Sequence, residues 1–297
     1  MGIKGMEAFR SKLPGFQGKK FYLLGVISLV SFITALVTGL VLDGIPRWFQ
    51  DINVLHGLEP VMPIITSAIL DFTGYFILFF TWHDREKLLK ENKETAFQRG
   101  LIRGLVGIPF VVSVVVRAYI GTDYLSLAQP ENPVTVLFSK SLLGILTGGG
   151  WWLHVIQLMA GSFFLVLGGL TIHSAIQAFG IDYMSLVYMY YPEESEMQDN
   201  EIYSIIRHPT YLGIILIAFG GAVFRLSVYS LIFSCIVVIG FYLHVTLVEE
   251  KELEERFGEG YKEYRQDVPA FFFHPKNIPV FLGFLKNPVK KQEMEKD

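Results

Sequence analysis

Apolar residues do not alternate with polar ones along this chain; they come in long blocks separated by short polar stretches. A helix rises 1.5 Å per residue, so a block of about 20 residues matches the hydrocarbon thickness of a bilayer. Six blocks are read as spans: residues 21–42, 61–82, 101–120, 151–179, 211–224 and 227–248. The last two form a helical hairpin with Pro209 at its mouth and Glu249-Glu250 at its exit. Residues 134–146 are apolar but short, and Lys140 interrupts them, so an interfacial or re-entrant segment is expected there. Beyond the hairpin, Leu253, Phe257, Tyr261 and Tyr264 recur at intervals of three and four. They mark an amphipathic helix, bent near Gly258, that is expected to lie across the base of the hairpin.

Composition agrees with an all-α polytopic membrane protein. Of 297 residues, 52% are hydrophobic and only 18% charged, and the mean hydropathy is +0.42. The net charge of −3 gives no electrostatic reason to expect a nucleic-acid partner. Cys235, the sole cysteine, excludes an intrachain disulfide and a cysteine-based metal cluster, and no metal site is expected.

Charge also sets the orientation. Lys4, Arg10, Lys12, Lys19 and Lys20 precede the first block, which is read as a retained span rather than a cleaved signal peptide. Arg85, Lys87, Lys90, Lys93, Arg99 and Arg103 fill the loop after the second, whereas residues 121–133 carry no Lys or Arg. Six spans with both termini in the cytoplasm satisfy this bias, and they place the hairpin mouth, the acidic pair and the tail on the same side. Tyr183, Tyr188, Tyr190 and Tyr191 suit an interfacial aromatic belt as well as a ligand role.

Chemistry concentrates at Arg207-His208-Pro209-Thr210-Tyr211-Leu212-Gly213. Pro209 fits the first turn of a helix, leaving Arg207 and His208 just outside an N-terminus whose N–H groups favour an anionic group. Gly213 and Gly220-Gly221 keep one face thin, for close helix packing or a flat ligand, with packing favoured for the pair. Asp71 lies mid-span, where an ionisable side chain is costly, and Arg117 is its candidate partner. His154, His173 and His244 lack ligand-like spacing and read as structural; Glu254, Glu255 and Glu259 read as a solvated charge run.

The order Arg207-His208-Pro209-x-Tyr211-x-Gly213, an apolar hairpin, Glu249-Glu250-x-x-Leu253, then Phe257-Gly258-x-x-Tyr261-x-x-Tyr264 resembles the membrane methyltransferases typified by isoprenylcysteine carboxyl methyltransferase, with phospholipid and thiol methyltransferases. The resemblance covers about residues 168–273, which it implies are a cofactor-binding core. Residues 1–167 are then a transmembrane region of unassigned role and 274–297 a polar tail. It implies S-adenosylmethionine as methyl donor and a lipophilic acceptor arriving from the bilayer, with a prenylcysteine-like carboxylate slightly ahead of phospholipid amines and small thiols. Arg207, His208 and Glu250 would carry the chemistry. Tyr203, His208, Pro209, Tyr211, Leu212, Gly213, Glu249, Glu250, Tyr261, Tyr264 and Arg265 would hold the donor. Two positions depart from the pattern of carboxylate-accepting members: His244 and Val245 stand where an arginine precedes the acidic pair, and Asp267 replaces an arginine before Val268-Pro269. The alternatives are an NADPH-dependent reductase of the sterol type, disfavoured by His208-Pro209-Thr210-Tyr211, and a transporter or non-catalytic scaffold using Asp71 and Arg117.

Overall fold

The computed structural model describes residues 4–122, 128–182, 188–191, 193 and 196–288, the side chain of Tyr188 excepted. Among the described residues, five helices are long and apolar enough to cross a membrane: Gly18–Trp48, Met62–His83, Lys93–Ile120, Trp151–Phe179 and Val228–Phe257. The expected sixth, Pro209–Arg225, has 17 residues and falls short of that length. At 1.5 Å per residue it reaches only about 25 Å, because Pro209 opens it and Leu226, in the left-handed region at φ 46°, closes it. We label the helices that matter here α1 (Tyr22–Trp48), α2 (Met62–His83), α3 (Lys93–Ile120), α4 (Pro133–Ser139), α5 (Leu142–Thr147), α6 (Trp151–Phe179), α7 (Pro209–Arg225), α8 (Val228–His244), α9 (Glu250–Phe257), α10 (Glu259–Asp267) and α11 (Ile278–Lys286).

Local chemistry sets the breaks. Asn132 caps α4 through its side chain and Ser141 caps α5, so the short apolar stretch at 134–146 folds as two helices, each under two full turns. Ser227 and Ser230 form a reciprocal capping box that starts α8 immediately after α7. Gly258, at φ 60°, separates α9 from α10 where the amphipathic pattern is expected to bend.

α7 packs on both α6 and α8. Gly168 on α6 faces Gly213 on α7, and Gly161 faces Gly220; a Cβ at any of the four would strike the facing backbone carbonyl. These glycines let two backbones approach closely, as small residues do between membrane helices. A central core of Leu70, Val114, Ala118, Ile215, Ala218, Phe233 and Val237 ties α2, α3, α7 and α8 together.

Three expectations need correction. Arg117 does not pair with Asp71: its Nη2 lies 2.8 Å from Asp43 Oδ2 and its Nε 3.1 Å from Ser67 Oγ. α1 continues past residue 42 to Trp48, which brings Asp43 to that depth. Tyr190 and Tyr191 are buried rather than interfacial, packed with Phe9, Leu13 and Phe97; Tyr183 and the Tyr188 side chain lie outside the described residues. Within the tail read as polar, residues 278–286 form the apolar helix α11, whose Phe281 and Phe284 are buried against Ala175, Ile202 and Ile206.

Candidate active site

Two strands of contact fix the Arg207-His208 pair at the mouth of α7. Arg207 N donates to Pro269 O at 2.9 Å and His208 N to Ala270 O at 3.0 Å, so the chain following α10 is tied to the motif by backbone bonds. The Arg207 guanidinium then reaches Glu250 Oε1, 3.1 Å from its Nε, and donates through Nη1 to the carbonyls of Arg265 and Val268. Its role in this structure is to anchor the end of α10 to the hairpin.

His208 is buried between the two acids. Its Nε2 is 3.3 Å from Glu250 Oε1 and its Nδ1 is 3.6 Å from Glu249 Oε1. Only a doubly protonated ring can donate towards both carboxylates. Burial alone would pull the imidazolium down, but hydrogen bonds and charge from Glu249 and Glu250 outweigh it, and the pKa of His208 stands above its ordinary value. Tyr211 donates to Glu249 Oε2, and Glu250 Oε2 lies 3.3 Å from Arg265 Nε. Arg265 also pairs with Glu254, so that acid is not simply solvated. Tyr264 closes the arrangement by donating to Tyr203 O at 2.6 Å. Burial pushes the phenols of Tyr203, Tyr261 and Tyr264 up, so they stay neutral at physiological pH.

A cavity of about 370 Å³ opens over this floor, within the range of small-molecule sites. Of the residues read from the sequence, Tyr203, Arg207, His208, Pro209, Tyr211, Glu249, Tyr261 and Tyr264 line it. Glu250 and Arg265 do not; they brace the wall from behind. Leu212 and Gly213 turn elsewhere, Leu212 into the cluster around Ala175 and Phe281, Gly213 against Gly168 and Ile172 of α6.

The other wall comes from the region whose role the sequence left unassigned. Tyr75, Leu78 and Trp82 of α2 and Leu101, Leu105, Ile108 and Val112 of α3 line the same cavity, with Phe241 and His244 of α8. A signal for α3 existed in its small residues: Gly100 packs on the ring of Tyr190 and Gly107 on the backbone of Gly74. Opposite the site, at the far ends of α1 and α3, lies the Asp43–Arg117 pair, which takes no part in the cavity.

Residues 156–260 match the phospholipid methyltransferase family model. The chain is 29% identical over 120 residues to protein-S-isoprenylcysteine O-methyltransferase B of Arabidopsis thaliana, a match that covers 40% of this chain and 59% of that protein. It is 25% identical over 252 residues to a methanethiol S-methyltransferase of a Pseudomonas species, covering 84% of each chain. The isoprenylcysteine O-methyltransferase of Schizosaccharomyces pombe matches at 28% over 107 residues, 36% of this chain and 45% of that one. The chain thus spans less than two thirds of the isoprenylcysteine relatives it matches. No solved structure matches it with significance. The domain match at 156–260 contains both His208 and Glu250, so the similarity to membrane methyltransferases falls on the segment that builds the site.

Proposed function

We propose that the protein transfers a methyl group from S-adenosylmethionine to a lipophilic acceptor in the cavity between α2, α3, α7 and α9–α10. The observation that carries this reading is the cavity's division into a charged, aromatic floor and an apolar wall. On the floor, Glu249 and the faces of Tyr211, Tyr261 and Tyr264 suit a sulfonium and an ammonium. The first turn of α7, with its free backbone N–H groups, suits a carboxylate. The donor set therefore fits every charged group of that donor. When bound, S-adenosylmethionine supplies an electrophilic methyl group on a sulfonium sulfur.

The chain's own part is to hold the reactants in line and exclude water, which can lower a barrier by about 7–11 kcal/mol in favourable cases. Tyr211 is fixed by Glu249 on one side and by the rings of Phe241 and His208 on the other, so the floor is preorganised. Leu105, Ile108 and Val112 give the acceptor an apolar bed, and Ile108 is half exposed. We take this wall as the acceptor's approach from the bilayer, with the floor on the cytoplasmic side, where the basic N-terminus and the loop after α2 also lie. Lys4 donates to Ala178 O and Arg85 Nη1 lies 2.9 Å from Glu252 Oε1, so these segments share the site's end of the bundle.

Equilibrium binding of labelled S-adenosylmethionine to the purified protein tests the reading, with NADPH titrated in parallel. The parent should bind the methyl donor and not NADPH, and His208→Ala and Glu250→Ala should lose it. A parent that binds no donor would sink the assignment.

A further inference from the structure

The apolar wall contains a group of polar side chains that donor binding does not use. His244, the last residue of α8, is buried and lines the cavity. Its neighbours are rings: Trp82 edge-on at 4.9 Å between centroids, Tyr75 at 5.4 Å and Tyr211 at 6.5 Å. Tyr75 Oη and Trp82 Nε1 are buried with no hydrogen-bond partner. One turn further into the bundle Asp71 is buried as well, its Oδ1 unpartnered. Asp71 and Tyr75, four residues apart on α2, press on one notch in α8: a Cβ at Gly240 would meet both Asp71 Oδ2 and the Tyr75 ring. Gly240 in turn lies four residues before His244. A carboxyl, a phenol and an imidazole therefore follow one another along the α2–α8 seam and end at the cavity.

Orphaned buried polar atoms are costly and mark sites where something else belongs. The cavity's two arginines are engaged, Arg207 with Glu250 and Arg256 with Glu252. Neither is offered to an acceptor carboxylate beside His244. An ammonium would have to shed its hydration to enter an apolar chamber, whereas a thiol enters neutral. Once inside, a thiol must lose its proton to become a competent nucleophile. Imidazole is a suitable acceptor, its basicity about two units below that of an ordinary thiol.

Resting on the methyltransferase reading above, we propose that the acceptor is a thiol with an apolar body and that His244 takes its proton, with Tyr75 and Asp71 as positioning residues that hold the imidazole. The S–H bond breaks to a ring nitrogen of His244, and the sulfur lone pair forms the new C–S bond to the methyl carbon. The pair from the broken methyl–sulfonium bond stays on the donor sulfur, which becomes a neutral thioether. His244 then returns its proton to solvent. Charge and atoms balance with no further reactant.

The test uses the full chain in detergent with 1-hexanethiol and N-acetyl-S-farnesylcysteine as alternative acceptors. The parent should methylate hexanethiol and not the farnesyl carboxylate. His244→Ala and the shape-preserving His244→Gln should lower kcat by about 10²–10⁴-fold, with donor dissociation constant and donor-free hexanethiol binding by calorimetry both unchanged. The remaining rate in both should climb with pH as hexanethiol ionises unaided, a profile a merely structural role would not give. Asp71→Asn should lower kcat with little change in KM. Methylation of the farnesyl carboxylate in place of the thiol would overturn the acceptor class and leave the methyltransferase standing. Unaltered kcat in His244→Gln, or loss of donor binding in both variants, would overturn the role of His244. Absence of donor binding by the parent is the separate result that removes the underlying reading and this inference with it.

Discussion

His208 Nε2 lies 3.3 Å from Glu250 Oε1, across 42 residues of chain and the whole length of the α7–α8 pair. Glu250 is the shared member: Arg207, His208 and Arg265 all converge on its two oxygens. Removing one partner of a buried ionic group leaves the others uncompensated, at about 3–5 kcal/mol. Glu250→Ala should therefore cost more stability than Arg265→Ala, whose side chain is 42% exposed. Thermal denaturation of the two purified variants checks this; equal losses would mean that Glu250 is not the hub.

The pH dependence of the same group has a defined sign. The pKa of His208 is raised in the folded protein, so its imidazolium contributes stability that is fully present below the ordinary value of 6.5 and is lost as pH rises through the raised value. The melting temperature of the parent should accordingly exceed that of His208→Gln most at acidic pH, with the gap closing as the solution becomes alkaline. A gap that widens with pH would reverse the assignment of charge to the ring.

The chain announces its membrane helices because length and apolarity are local properties, and it announces Arg207-His208-Pro209 and Glu249-Glu250 because polar groups at helix ends stand out against apolar runs. Partners across helices are less legible. Asp43 lies just past the end of the first apolar run, yet α1 continues through Pro46 and carries it to Arg117. Tyr190 and Tyr191 have the composition of an interfacial belt, and only the folding of the N-terminal segment over them makes them core. Of the apolar wall from α2 and α3, only the small residues of α3 give a sign in the sequence, because a side chain facing a cavity and one facing lipid obey the same pattern. His244 shows the limit most clearly, since without ligand spacing it reads as structural, and its unpartnered neighbours Tyr75 and Trp82 emerge only in three dimensions.

The α6–α7 contact gives a paired test of the glycine reading. A side chain at Gly168 would strike Gly213 O and the side chain of Ile217, whereas a Cβ at Gly169 meets nothing within 4 Å. Overpacking a close helix contact costs about 1–3 kcal/mol, occasionally more. Gly168→Leu should lower folded yield and melting temperature and displace the α7 N-terminus that carries His208, reducing donor affinity. Gly169→Leu should do neither, and parity between the two would refute the close packing.

Acceptor and donor should be separable at the cavity wall. Ile108 is on α3, lines the cavity and is half exposed, and it has no contact with the charged floor among the hydrogen bonds and ion pairs described. Tryptophan there is compatible with a membrane-facing helix and would fill space the acceptor needs. Size changes in an apolar pocket shift discrimination by roughly 10–200-fold. Ile108→Trp should raise the acceptor KM by at least about tenfold on that scale, and the shift should grow with the bulk of the acceptor's apolar body. Donor affinity, which the proposed function assigns to Glu249, His208 and the phenols on the floor, should stay at the parent value. Steady-state kinetics across a series of acceptors of increasing chain length, beside equilibrium donor binding, checks both halves; a loss of donor affinity with no change in acceptor KM would place the donor, not the acceptor, against α3.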